Sequence, residues 1–203
     1  MKIICIGRNY AAHAAELRHE LPKEPVFFLK PDTALVKSNR PVYIPDFTNE
    51  LHYELELVVK ICKVGKCIPE KFAHTYWDEV ALGIDLTARD LQRQQSEKGL
   101  PWEMAKSFDN SAPISAFFPK TKFGDGNAIS FHLDLNGKTV QQGNSANMIF
   151  SVDKIITYVS RFFTLKHGDM IFTGTPAGVG PLAIGDLMEA YLEGEKVLKC
   201  RVK

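Results

Sequence analysis

Short apolar runs and strict two-residue alternation fill most of this chain, so strands dominate the pattern it predicts. KIICIG (2–7) is an unbroken apolar run of strand length. PVFFLKP (25–31) is another, interrupted only by Lys30. In HYELELVV (52–59), His52, Glu54 and Glu56 alternate with Tyr53, Leu55 and Leu57. VALGID (80–85) and Met170–Phe172 read as buried strands. FHLDLNGKTVQQG (131–143) reads as strand, Asn-Gly turn, strand. The last stretch, 185–203, predicts two strands joined at Gly194, and KVGK between Cys62 and Cys67 predicts a hairpin around Gly65.

Helical spacing is confined to short segments. YAAHAAELRHEL (10–21) predicts an amphipathic helix with Asn9 as cap, His19 and Glu20 on its polar face, and Pro22 and Pro25 at its end. Residues 69–79 predict a short helix packing its aromatics. Thr87 and Asp90 have the spacing of a capping box for a helix that Gly99 and Pro101 stop near residue 98. In 151–165, Ile155, Ile156, Val159, Phe162 and Phe163 fall on one helical side. No regular β–α alternation appears, which argues against a doubly wound sheet. The expectation is one α+β domain over 1–203, rich in antiparallel or mixed β structure.

Composition narrows the class. At 203 residues the chain can bury one substantial core, and a net charge of +1 gives no broad pull toward nucleic acid or a membrane surface. No apolar run is long enough to span a bilayer. MKIICIGRNY places Cys, Arg and Asn inside what would be a signal-peptide core, so a cytoplasmic location is expected. Cys5, Cys62, Cys67 and Cys200 form no complete zinc set, and reduced thiols are the default. A bridge or zinc half-site at Cys62 and Cys67 stays open.

The candidate chemistry starts at Glu54 and Glu56. Two residues apart on a strand, they share a face with α-carbons about 7 Å apart. Converging carboxylates repel unless one is protonated or a cation joins them. Asp85, at the end of its own apolar run, supplies a third acid. Three carboxylates without clustered thiols or imidazoles favour Mg²⁺ or Mn²⁺ over zinc. Alternating acids also describe a solvent-facing strand edge, and a binding module with Glu54 and Glu56 in water is the non-enzymatic alternative. Arg89 and Gln92 stand at i and i+3 just past Asp85 and can line the same pocket; a surface ion pair is the plain alternative. Lys106 sits among Trp102, Met104 and Phe108, where a lysine either snorkels or stabilises an enolate or carboxylate. His13 and Glu16 share a helical face, as an oriented base or as an ordinary surface pair. Lys30 is either snorkelling or paired with an acid. TGTPAGVG (173–180) is a Gly/Pro loop whose N–H groups and Thr hydroxyls can hold a carboxylate, or a plain connector.

Taken together, GRNYAAHAAE, FLKP, HYELELVV, GIDLTARDLQ, LPWEMAKSFD and GTPAGVGP resemble the fumarylacetoacetate hydrolase family, in order over nearly the whole chain. The likeness is to its short, single-domain branch of acylpyruvases and oxaloacetate decarboxylases. The resemblance implies a mixed β-roll, a homodimer, and Mg²⁺ or Mn²⁺ held by Glu54, Glu56 and Asp85. It also implies a His13–Glu16 dyad on a lid helix, with Arg89, Gln92, Lys106 and Thr175 around a 2-oxo acid substrate. On that basis the expected reaction is hydrolysis of the C–C bond of acylpyruvates, with possible decarboxylation of oxaloacetate through the same enolate. An isomerase or decarboxylase of diacids from aromatic catabolism, like 2-hydroxyhepta-2,4-diene-1,7-dioate isomerase, is the alternative.

Overall fold

The computed structural model describes residues 1–203 apart from 17–19, 38, 125 and 127 and the side chains of 14 and 15. Its strands are β1 (Ile3–Gly7), β2 (Val26–Lys30), β3 (Leu35–Val36), β4 (Leu51–Tyr53), β5 (Leu55–Ile61), β6 (Trp77–Ile84), β7 (Thr87–Ala88), β8 (Ala112–Pro113), β9 (Phe118–Pro119), β10 (Ser130–Leu135), β11 (Lys138–Asn144), β12 (Met170–Phe172), β13 (Gly180–Pro181), β14 (Leu187–Leu192) and β15 (Glu195–Arg201). The α-helices are α1 (Ala11–Glu16), α2 (Glu70–Ala73), α3 (Arg89–Glu97), α4 (Glu103–Lys106) and α5 (Val152–Val159). Strand-rich α+β architecture is what the alternation predicts.

A six-stranded sheet, ordered β2-β1-β12-β5-β6-β9, forms the centre. It is mixed: β1 and β12 run parallel, and the other neighbours run antiparallel. Its middle strands are apolar on both sides because both sides are covered. Leu55, Leu57 and Val59 of β5 face the main core with Phe131, Leu133 and Met188 of the four-stranded sheet β11-β10-β14-β15 and with Ile155, Ile156 and Val159 of α5. Val58 faces the other way, into a smaller cluster with Ile3, Cys5, Met170 and Phe172. Between β10 and β11, Asn136 (φ 54°) and Gly137 (φ 79°) make the Asn-Gly turn in the left-handed backbone it needs.

Several local expectations change. β5 and β6 are joined by a long connection carrying α2, not by a hairpin around Gly65; Gly65 instead bridges to Leu165. Cys62 and Cys67 are free thiols. The helix predicted for 69–79 stops at Ala73, and Trp77 is a buried member of β6. α5 ends at Val159, leaving Phe162 exposed. Helix α1 covers 11–16 of the predicted 10–21, with His19 outside the described residues.

Two predicted caps serve other partners. The Asn9 side chain donates to Phe150 O and Thr173 O and accepts from Phe150 N, so it ties the end of β1 to the end of β12. Asp90 accepts from Thr48 Oγ1 and Asn49 N, while Thr87 Oγ1 donates to Asp85 O. Asn9 reaches partners 141 and 164 residues away and Asp90 partners 41 and 42 residues away, and these long-range bonds take the place of the local cap.

Candidate active site and metal centre

Two chain segments meet where β5 begins and β6 ends. Glu54 stands at the break between β4 and β5, where the chain passes from the small sheet β13-β4-β7 into the central one. Glu56 lies opposite Gly83 of β6, and Asp85 N donates to Glu54 O at 2.8 Å. A side chain at Gly83 would strike the Phe172 ring at 2.4 Å, so glycine there lets the strands close under the acids. The shared strand face and the register bring one oxygen from each of Glu54, Glu56 and Asp85 within 4.8 Å of the others, all three residues buried. The solvent-edge alternative is thereby removed.

This donor set fits a hard divalent cation. All the donors are carboxylate oxygens. Lys30 Nζ is 2.8 Å from Asp85 Oδ1 but outside hydrogen-bond geometry, so that buried oxygen accepts no hydrogen bond. Burial, then the neighbouring Asp85, pushes the Glu56 carboxyl well above its ordinary value, although Gly174 N donates to it at 2.7 Å. Burial works the same way on Glu54, but the charges of Lys106 and Arg89 outweigh it and hold that group far below the carboxylate range.

Lys106 is the main cation of the cluster. Its Nζ lies 2.9 Å from Glu54 Oε2, 2.7 Å from Asp85 Oδ2 and 2.6 Å from Thr87 Oγ1. Burial would lower its pKa; Asp85 and Glu54 reverse that, and the net shift is upward. Of the apolar neighbours predicted around it, Met104 points to solvent. The Phe28 ring lies 5.3 Å from Nζ instead. Arg89 reaches back from the start of α3 to donate to Glu54 Oε1 and Gln92 Oε1. Lys30 resolves as a buried partner of Asp85 that also donates to Ser111 Oγ at 2.9 Å.

These groups open into a cavity of about 380 Å³ that also takes in His13, Glu16, Gln92 and Thr175. His13, buried on α1, has Nδ1 3.3 Å from Glu16 Oε2. The loop after β12 is more than a connector, and several of its donors bond to the protein itself. Thr173 and Thr175 hydroxyls donate to Leu57 O and Leu55 O. Gly174 N serves Glu56, and Gly178 N donates to Glu16 at 3.2 Å. The loop thus holds two of the protein's own carboxylates. Gly174 (φ 100°) passes Asn9 so closely that a Cβ would come within 2.7 Å of the Asn9 Cβ.

Other groups that build the site lay outside the sequence reading. Gln141, buried in β11, donates to Thr175 Oγ1 and Pro176 O and accepts from Leu55 N, locking the loop to β5. His52 lines the cavity, as its place in the 52-54-56 alternation foreshadowed. Arg8, Phe28, Arg93 and Trp102 also line it. Arg8 follows the end of β1 and Trp102 precedes α4, outside any periodic pattern, while Phe28 comes from β2 and Arg93 from α3.

The mixed β fold with a buried carboxylate triad at the mouth of the central sheet defines a class, and sequence comparison names it. The family described as fumarylacetoacetate (FAA) hydrolase C-terminal matches residues 2–203, and the chain belongs to that family. The mouse protein named mitochondrial oxaloacetate tautomerase FAHD1 is 47% identical over 99% of this chain and 91% of its own length. The Escherichia coli oxaloacetate tautomerase YcgM is 42% identical over 97% of this chain and 90% of its own. Among solved structures, fumarylpyruvate hydrolase from Pseudomonas aeruginosa in complex with Mn²⁺ and pyruvate superposes with a TM-score of 0.95 at 40% identity, covering 100% of this chain and 89% of that one.

Proposed function

We propose that this protein is a divalent-metal-dependent enzyme acting on the enol form of a short 2-oxo acid, with keto–enol tautomerisation of oxaloacetate as its reaction. The observation that carries the reading is one cavity holding both the carboxylate triad and the His13–Glu16 pair. Relatives named oxaloacetate tautomerase support the choice of substrate. Glu54, Glu56 and Asp85 would hold Mg²⁺ or Mn²⁺, which when bound supplies a Lewis acid for the 2-oxo group.

Tautomerisation removes the proton from the enol hydroxyl and places one on C3, with no other change in atoms. Glu16 fixes His13 through Nδ1, leaving Nε2 as the atom that exchanges the proton. Lys106 and Arg89 place positive charge where the enolate oxygen develops its negative charge. Gln92 holds the Arg89 guanidinium in position, and Thr175 forms part of the wall.

The same dyad can take a proton from water, which favours a second reading, hydrolysis of an acylpyruvate to pyruvate and a carboxylic acid. The fold shared with fumarylpyruvate hydrolase points the same way. Decarboxylation of oxaloacetate releases CO₂ and leaves the pyruvate enolate, the leaving group of that hydrolysis, without an attacking water, so it needs Lys106 but not the dyad. The Mg²⁺-loaded enzyme should speed the decay of enol-oxaloacetate absorbance over buffer, and lose that effect with a chelator or in Glu56→Gln. Absence of acceleration, together with turnover of acetylpyruvate, transfers the assignment to the hydrolase.

A further inference from the structure

Four lysine and arginine side chains line the main cavity. Lys106 is paired with Glu54 and Asp85, Arg89 with Glu54, and Arg93 with Glu50. Arg8 is the exception: among the described residues no carboxylate pairs with it, and its Nε is buried without a hydrogen-bond partner. Its guanidinium carbon stands 5.8 Å from the Trp102 ring centre, so the indole supports it while offering its N–H edges no acceptor. Its backbone has φ 61°, a left-handed conformation that disfavours an arginine unless the surroundings impose it. Asn9, bonded to Phe150 and Thr173 and fully buried, is the clamp that imposes it.

A half-buried guanidinium without an anion loses solvation and, beyond the contact with the indole, gains no hydrogen bond at its buried Nε in exchange. An oxygen pair of matching geometry would satisfy it through two parallel hydrogen bonds. The triad and its cation claim the 2-oxo acid end of the substrate, and a methyl or acyl tail would give Arg8 nothing to bind. We propose that Arg8 is a specificity-determining residue that reads a second carboxylate, at the end of the substrate remote from the 2-oxo acid group. The ligand class is therefore short 2-oxo dicarboxylates rather than monoacids. This deepens the reading of the site as an oxaloacetate-type enzyme and rests on it for the orientation of the substrate.

Unreactive 2-hydroxy acids isolate the point, because malate and 2-hydroxybutyrate differ only in a terminal carboxylate in place of a methyl. Calorimetric titration of the Mg²⁺-loaded protein should give malate the tighter Kd by about tenfold, the size of one charge-assisted interaction. In Arg8→Gln the preference should shrink to about twofold or less, with the 2-hydroxybutyrate Kd unchanged. Arg8→Gly, which suits the left-handed backbone, should give the same loss and guards against misfolding of the glutamine variant. A wild type that binds both acids equally, or a preference that survives both substitutions, overturns the proposal. Should the enol-oxaloacetate assay fail while the malate preference holds and falls with Arg8, the reaction is wrong and the carboxylate reader stands.

Discussion

His52 ties the charge balance of the site to pH through two hydrogen bonds. Its Nε2 lies 3.0 Å from Glu50 Oε1, and its Nδ1 accepts from Arg89 Nε at 3.4 Å, a pattern only the neutral ring satisfies. Burial first, and the Arg89 charge second, move its pKa below the ordinary value. As pH falls, the unfolded chain then takes up this proton more readily than the folded one. The stabilisation is complete above about pH 6.5 and is lost progressively below it. Between pH 7 and pH 5, wild type should lose more unfolding free energy than His52→Gln in urea titrations; parallel losses would refute the neutral ring. Asp85 makes a second residue-level case, because Lys30 and Lys106 flank it. Lys30→Met leaves a buried carboxylate short of one countercharge, at a cost of roughly 3–5 kcal/mol. Saturating Mg²⁺ should recover part of that loss, and an equal deficit with and without the ion would remove Asp85 from the ligand set. At the dyad, His13→Ala should lower kcat by about 10²–10⁴ while leaving Mg²⁺ affinity intact. A variant with near wild-type turnover would end the acid–base role.

Among the elements, the loop from Thr173 to Val179 shows why parts of the site were readable in sequence and others were not. The period of a strand is local, so 52–59 told where Glu54 and Glu56 point, and Asn136-Gly137 announced its own turn. Asp85 was marked by the end of an apolar run. What the loop does depends on partners far along the chain: Gly174 N meets Glu56 118 residues away, and Gly178 N meets Glu16 162 away. Periodicity carries no record of such pairings. The same physics displaced Asn9 and Thr87 from their predicted caps, since a part-buried Phe150 N–H or a buried Lys106 ammonium is the stronger claimant. Asn9→Ala strips partners from Phe150 N and Thr173 O together and should cost roughly 2–4 kcal/mol by chemical denaturation. A change under about 0.5 kcal/mol would mean the tie between β1 and β12 is dispensable.

Over the whole molecule, the triad exists only in the folded state, because its acids are set by the register of β5 and β6 and by the loop after β12. A cation bound there must stabilise the entire fold, by about 2.7 kcal/mol at a hundred times its Kd. The most direct trial is anomalous diffraction at the manganese edge from crystals grown with Mn²⁺. One peak is expected within about 2.0–2.3 Å of an oxygen from each of Glu54, Glu56 and Asp85, with Lys106 moved aside or bonded at the rim. Manganese located elsewhere, with Lys106 still bridging Glu54 and Asp85, would contradict metal ligation by these acids and the enol chemistry built on it.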